Sequence, residues 1–324
     1  MQESIERVEL YHYRLPLKKP LRLSAAVLTE RESLLLRWVF SGQTYWTEIA
    51  PLPGYSKETL AEARQQVIAF FKSELEWLPG NLQKRLALFS RDLAASVEMG
   101  LSAFLLELQP NYFGEPKLCG LLTEQELAAG SDFAFNKNTP IMKVKVGYRP
   151  IAEDIERIRR ICSQSAFTGK LRLDANQQWS PEDVTTLCTQ VDTQRIQWLE
   201  DPFSNAEDYR NWPQLSRIPF AYDETLVKTD AAIEHTEGLA ALILKPGLLG
   251  MAKTQRLIDW AQQRRIECVI SSGFETPVGL RALYALANQT ARQQYHGLDT
   301  RKYFVEKQSE HPLQSHLVLE QTLL

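Results

Sequence analysis

Cysteine is scarce in this 324-residue chain: Cys119, Cys162, Cys188 and Cys268 stand far apart and form no CxxC pair. That pattern excludes a zinc knuckle and a redox dithiol, and it leaves free thiols of a reducing compartment as the expectation. The five histidines, His12, His235, His296, His311 and His316, make no HxH or HExxH pattern. His296 alone falls late in a strand-like run, where a structural role is expected. There is no GxGxxG and no GxxxxGK[ST], so an open nucleotide-binding sheet is disfavoured. No apolar run approaches the roughly 18 to 20 residues that span a bilayer. The start, MQESIERVELYHYRL, carries acids and no apolar core before a cleavage site, which argues against a signal peptide and for the cytoplasm. Charge of one sign is lacking too. With 37 basic and 40 acidic residues the net charge is -3, which gives no general pull toward nucleic acid or a membrane surface.

What is present reads as a soluble globular chain, 44% hydrophobic and 24% charged, long enough for two domains or for a barrel with an added domain. From about Pro140 onward, short β-rich runs alternate with amphipathic helical stretches. The predicted strands are 141–146, 170–174, 196–200, 219–224, 241–245, 267–271 and 294–299, and LCGLL at 118–122 makes an eighth. Helices are expected over 151–162 and 251–265, with a further start at Ser180-Pro181-Glu182-Asp183, where a capping serine precedes a proline and two acids. Strand, helix, strand repetition implies parallel strands with right-handed crossovers, and eight strands close a barrel. The first 110 or so residues differ. VELYHYRLPL, SLLLRWVF and TYWTEI read as three antiparallel strands, and 57–78 and 92–108 as helical, giving an α+β unit. The tail HPLQSHLVLEQTLL adds a strand back onto that unit.

Five successive barrel strands end in charge: Lys145 in IMKVKVG, Asp174 in LRLDAN, Glu200 in QWLEDP, Asp223 in AYDET and Lys245 in LILKPG. At the carboxyl ends of barrel strands such side chains point into the mouth, where barrel enzymes keep their chemistry. Three carboxylates brought together repel one another, and a hard cation such as Mg2+ relieves that repulsion better than zinc. The lysines flank the triplet. Crowding by a metal and a second ammonium is expected to bring one lysine down toward neutrality as a base. Lys143 and Lys145, two apart on a strand, point to the same side. The group suits removal of a proton beside a carboxylate, with the metal and a permanently cationic lysine stabilising the enediolate. Singly, each residue reads as well as an edge-strand or turn charge; together they form an ordered set. A non-catalytic barrel that binds a carboxylate ligand is the reading from another class.

With these residues in view, the chain resembles the enolase superfamily in its muconate lactonizing subgroup, marked by KxK on the second barrel strand, carboxylates ending the next three, and a lysine ending the sixth. EIAPLPGYSKETL (48–60), VKVG (144–147), LRLDAN (171–176), LEDP (199–202), DET (223–225), KP (245–246) and SSGFET (271–276) are similar to segments of that subgroup's o-succinylbenzoate synthase family. The resemblance implies an α/β fold, a (β/α)7β TIM-like barrel over 111–301 with an α+β capping domain of 1–110 completed by about 302–324. It implies a hydro-lyase of menaquinone biosynthesis. The reaction would be Mg2+-dependent syn dehydration of 2-succinyl-6-hydroxy-2,4-cyclohexadiene-1-carboxylate to 2-succinylbenzoate, with Mn2+ as a substitute ion.

In that scheme Lys145 takes the α proton and then protonates the departing hydroxyl, Lys245 stays cationic, and Asp174, Glu200 and Asp223 hold the metal. Ser271, Ser272 and Gly273 are expected to offer backbone or hydroxyl donors to the succinyl end. Asn176 and Lys143 are expected behind the ligands and the base. Arg31 is expected in a mobile capping loop over the mouth, and Glu48 in a second loop, where it reads equally as a solvated charge. LEDP, where two glutamates are usual, departs only at Asp201. The same lysine pair would serve an N-succinylamino acid racemase or a dipeptide epimerase, and a similar array a muconate cycloisomerase; GLDTR, with arginine at 301 instead of the epimerases' DxD, speaks against the epimerase alone, and a mandelate-racemase-like mechanism would need a histidine base that CVISSGFET lacks. The partner is a small carboxylate substrate, and the pattern is compatible with a monomer.

Overall fold

The structure is a computed structural model that describes residues 4–23, 26–72, 77–109, 114–122, 140–164, 167–228, 233–305 and 316–324. The 110/111 boundary, residues 73–76 of the first expected helix, and His311 lie outside the described residues. Strands β1 (Ile5–Arg22), β2 (Val27–Phe40) and β3 (Gln43–Ile49) form the expected antiparallel sheet. Ser41 and Gly42, both at positive φ (51° and 69°), turn β2 into β3, the backbone twist that suits a two-residue hairpin. The last strand, β11 (Leu317–Thr322), pairs with the free side of β1, so the order is β11-β1-β2-β3.

Both faces of this sheet are covered. Val8, Leu10, Leu34, Leu36 and Trp38 pack on three helices, α1 (Leu60–Phe71), α2 (Pro79–Phe89) and α3 (Ala95–Glu107). On the other face Tyr13, Leu15 and Leu35 meet Val278 and Phe304 of the barrel. The helix expected over 57–78 starts at the Thr59–Glu62 capping box and ends at Phe71. Pro79 then opens α2, which the pattern did not single out, at a position where its missing N–H costs nothing. In α3 nearly every side chain is buried, and it approaches β3 so closely that a Cβ on Gly100 would lie 2.7 Å from the Glu48 carbonyl oxygen. Glycine permits that approach.

The second sheet is parallel. Strands β4 (Gly120–Leu122), β5 (Ile141–Lys145), β6 (Lys170–Asp174), β7 (Ile196–Glu200), β8 (Phe220–Tyr222), β9 (Leu239–Leu244) and β10 (Glu267–Ile270) run in chain order. The strand expected over 294–299 is reduced to single bridges, Leu118 with His296 and Ser271 with Gly297. These two contacts close the barrel. The ladder is short because the chain there serves two neighbours with few residues: the His296 N–H and C=O bond Lys117 and Cys119, and those of Gly297 bond Ile270 and Ser272.

Period-two alternation sets the barrel's two surfaces. Leu199, Leu242, Leu244 and Ile270 face the surrounding helices, among them α4 (Ile151–Cys162), α5 (Pro181–Gln190), α6 (Met251–Arg264) and α7 (Pro277–Ala291). Trp198, Ala221, Ala241, Ile243 and Val269 form a separate cluster inside, with the Arg172 guanidinium 4.0 Å over the Trp198 ring. Arg172, Trp198, Ala221 and Ile243 each stand two residues before Asp174, Glu200, Asp223 and Lys245. An interior residue two places earlier puts each of these charges on the inner face, at the carboxyl end.

Candidate active site

The carboxylates of Asp174, Glu200 and Asp223, each 2% exposed or less, converge so that one oxygen from each lies within 4.8 Å of the others. Asp174 and Glu200 close β6 and β7; Asp223 and Lys245 fall one residue past β8 and β9, because these two strands end before the 224 and 245 expected from sequence. Lys143 reaches all three acids. Its Nζ is 2.8 Å from Asp174 Oδ2, 2.5 Å from Glu200 Oε2 and 4.0 Å from Asp223 Oδ2. Lys145, higher on the same face and more exposed, lies 3.5 Å from Asp174 and donates to Asn176 Oδ1 at 2.7 Å. Lys245 pairs with Asp223 on the other side of the triplet. An ammonium therefore flanks the carboxylates on each side.

Three hard oxygen donors at this spacing fit a divalent cation such as Mg2+. The Asp223 Oδ2 atom adds to the fit, being buried with no hydrogen-bond partner. A buried carboxylate oxygen without a hydrogen bond is costly unless a cation takes it up. The fields differ within the triplet. Burial opposes charge on Asp174, but Lys143 and Lys145 outweigh it and hold that carboxyl well below its ordinary range. Burial and the neighbouring Glu224 carboxylate push Asp223 up instead, against the pull of Lys245.

The lysines sit in the field of the carboxylates. Burial disfavours their charged forms, yet Asp174 raises Lys145, Asp223 raises Lys245, and Asp174 and Glu200 raise Lys143 well above its ordinary value. A base brought down toward neutrality requires the carboxylates' charge to be spent on a cation first.

Asn176, at φ +44°, donates its backbone N–H to Asp174 Oδ1 (3.2 Å) and its amide to Glu224 Oε1 (2.8 Å) while accepting from Lys145. Glu224 and Tyr148 were missed in the sequence reading. Glu224 lies 3.8 Å from Lys245, and the Tyr148 hydroxyl donates to Asn176 Oδ1 at 2.8 Å. The only signal for Glu224 was the doubled acid of DET; none marked Tyr148.

These groups open into a cavity of about 460 Å³. Leu21, Leu23, Leu52 and Tyr55 of the capping unit give it an apolar side, and Ser271 to Phe274 form another wall. A cleft of about 520 Å³ between residues 27–32 and 51–60 lies apart from the carboxylates, and none of the triplet lines it. The chemistry belongs to the smaller cavity. Ser271, Ser272 and Gly273 line that cavity but do not have the free donors expected of them. Their backbone N–H groups bond Leu244 O, Gly297 O and Glu275 Oε2, and the hydroxyls engage Gly297 O and Thr300 Oγ1. The loop spends its donors on holding its own shape.

Arg31 and Glu48 also need correction. Arg31 belongs to β2, is 2% exposed, and directs its guanidinium at the carbonyls of Ala50, Pro51 and Phe274 instead of covering the mouth from a loop. Glu48 belongs to β3 and is buried, not solvated. The Asp201 side chain, the site of the LEDP departure, points away to Thr225, whose N–H and hydroxyl it accepts at 2.7 and 3.0 Å. His296 is structural as expected: Nδ1 accepts from the Ile270 N–H at 3.0 Å and Nε2 faces Ala291 O at 3.1 Å.

Two family models match the chain. Enolase C-terminal domain-like covers residues 128–319, and MenC, N-terminal domain covers 5–108. The o-succinylbenzoate synthase of Yersinia enterocolitica is 34% identical over 307 residues, 90% of this chain and 89% of that protein. Among solved structures, the muconate lactonizing enzyme from Pseudomonas fluorescens complexed with muconolactone aligns with a TM-score of 0.77 at 17% identity, over 96% of this chain and 92% of that one. The o-succinylbenzoate synthase from Thermosynechococcus elongatus, complexed with Mg in the active site, aligns with a TM-score of 0.71 at 21% identity, over 90% and 92%. At such identities the solved structures speak for the fold, and the sequence relative for the family.

Proposed function

The chain belongs to the o-succinylbenzoate synthase family of the enolase superfamily, and from that membership we propose that it is a lyase dehydrating 2-succinyl-6-hydroxy-2,4-cyclohexadiene-1-carboxylate to 2-succinylbenzoate, a step of menaquinone biosynthesis. The observation that carries the reading is the pair of ammonium groups, Lys145 and Lys245, flanking a buried triplet of carboxylates. Asp174, Glu200 and Asp223 would hold Mg2+, which when bound would supply positive charge beside the substrate carboxylate.

Lys145 takes the proton from the carbon next to that carboxylate. The electron pair of the broken C–H bond passes into the carboxylate as an enediolate. Lys245, kept cationic by Asp223, faces that charge and stabilises it. The pair then returns to form the ring double bond as the C–O bond breaks, and Lys145 gives its proton to the departing hydroxyl, which leaves as water. One lysine serves both transfers because the proton and the hydroxyl leave from the same face. Lys143 holds the acids together by bridging them, and Asn176 orients the Lys145 ammonium. The apolar wall of Leu21, Leu23 and Leu52 keeps water from the enediolate.

The test is to supply the cyclohexadiene carboxylate with Mg2+ and follow aromatisation in the ultraviolet. The signal is expected to vanish with EDTA and return with Mg2+ or Mn2+. Lys145→Ala is expected to cost at least about 10² to 10⁴ in kcat, the usual share of a general acid–base group, with Mg2+ affinity intact by calorimetry. Absence of any Mg2+-dependent signal, together with racemisation of N-succinyl amino acids, would move the assignment to the racemases that use the same lysine pair.

A further inference from the structure

Two walls of the cavity come from different units of the protein. Residues 50–55 contribute Leu52 and Tyr55, and residues 271–274 contribute Ser271 to Phe274. A single side chain ties them together. Arg31 donates through Nη2 to Ala50 O at 2.6 Å, through Nη1 to Pro51 O at 2.7 Å and through Nε to Phe274 O at 3.1 Å. Phe274 sits at φ +61°, a region unfavourable for a bulky residue and held only where the surroundings determine it.

The segment beyond Phe274 is pinned from the same side. Glu48 Oε2 accepts from Thr276 N and Oγ1, both at 2.9 Å, and from Gly279 N at 3.0 Å. Glu275 Oε2 accepts from Gly273 N at 2.7 Å. The buried guanidinium balances these two buried carboxylates, both of which lie in its field. None of these three side chains lines the cavity.

We propose that Arg31, backed by Glu48, is a positioning residue for the substrate: it sets the spacing of the wall 50–55 against the wall 271–274. It thereby governs how firmly the part of the substrate remote from the carboxylate triplet is held. The inference rests on the dehydratase reading above and extends it to the cavity's far side. A guanidinium suits the task because its planar fork fixes several carbonyls in one geometry, which the point charge of a lysine does not.

The molecule contains a matched control. Arg31 further donates to its neighbour Glu32 O at 3.3 Å, and Arg195 is likewise spread over several carbonyls, of Gly169, Cys162 and Phe167, but at the opposite end of the barrel, where β6 begins. The experiment compares Arg31→Lys with Arg195→Lys by thermal melting, Mg2+ calorimetry and steady-state kinetics on the cyclohexadiene carboxylate. Both variants are expected to melt earlier with Mg2+ affinity unchanged. Arg31→Lys alone is expected to raise KM about tenfold with kcat within about threefold, the mark of lost binding away from the reacting centre. An Arg31→Lys enzyme whose KM stays within about twofold of the parent, or moves no more than that of Arg195→Lys, overturns the proposal. If the lysine variant does not fold, Arg31→Gln is read by the same two outcomes. A parent protein with no turnover would sink the dehydratase reading instead, and direct affinity for 2-succinylbenzoate in the same variants then decides the positioning role.

Discussion

Glu48 sits on a strand of one unit and terminates a helix of the other, and its titration follows from that burial. Removal from water pushes its carboxyl up to about 7, against the favourable field of Arg31. A carboxyl raised on folding binds its proton more tightly in the native state, so its contribution to stability is full below the ordinary value near 4.5 and is lost as pH rises toward 7. Glu48→Gln keeps an oxygen acceptor for Thr276 and Gly279 but does not ionise. Its melting temperature is expected to fall less steeply than the parent's between about pH 4.5 and 7, measured by calorimetry across that range; parallel curves would refute it. The five candidate site residues were legible as a group because each repeats a simple signal, one charge at the inner-face end of one strand. Arg31 and Glu48 were misread because their burial is decided by contacts with Phe274 and Gly279, more than 200 positions along the chain, and nothing in their local sequence marks them.

At the scale of elements, local chemistry was the better guide where it was strong. Ser180 caps α5 as the sequence announced: its hydroxyl accepts from Asp183 N at 3.2 Å, and Asp183 Oδ2 accepts from Ser180 N at 2.9 Å. Ser180→Ala is expected to cost about 1 kcal/mol in urea unfolding, the usual worth of such a cap, with kcat little changed because the box lies beyond the loop that follows Asp174. A loss of activity without loss of stability would contradict that separation. Where the signal was weaker, periodicity ran on too far. The apolar pattern of 57–78 continues past Phe71, where α1 ends; Trp77 packs at a tilt against Phe71, with ring centroids 4.7 Å apart, and α2 starts at Pro79. Tertiary packing chose the boundary.

At the scale of the molecule, helices α6 and α7 share a dependence: neither donates a backbone N–H to the side chain of its own N-cap residue. Glu98 of α3 accepts from Ala252 N at 3.0 Å, and Glu48 accepts from Gly279 N, so the capping unit satisfies donors at the starts of both barrel helices. The barrel and the sheet are thereby coupled through backbone groups as well as apolar contact. His296 governs the remaining joint. Burial lowers its pKa to about 4, so the folded protein holds a neutral ring; stability is full above the ordinary 6.5 and lost as pH falls toward 4. His296→Gln is expected to flatten that acid limb, opposite in sign to the slope of Glu48, and an unchanged limb in acid melting curves would remove the histidine from the account. The two bridges at His296 and Gly297 give the barrel the mechanics of a rolled ribbon buttoned along one edge. Unbuttoned there, the sheet would unroll with every other ladder intact, and the cavity that Leu121 and Thr300 help to line would open along that edge.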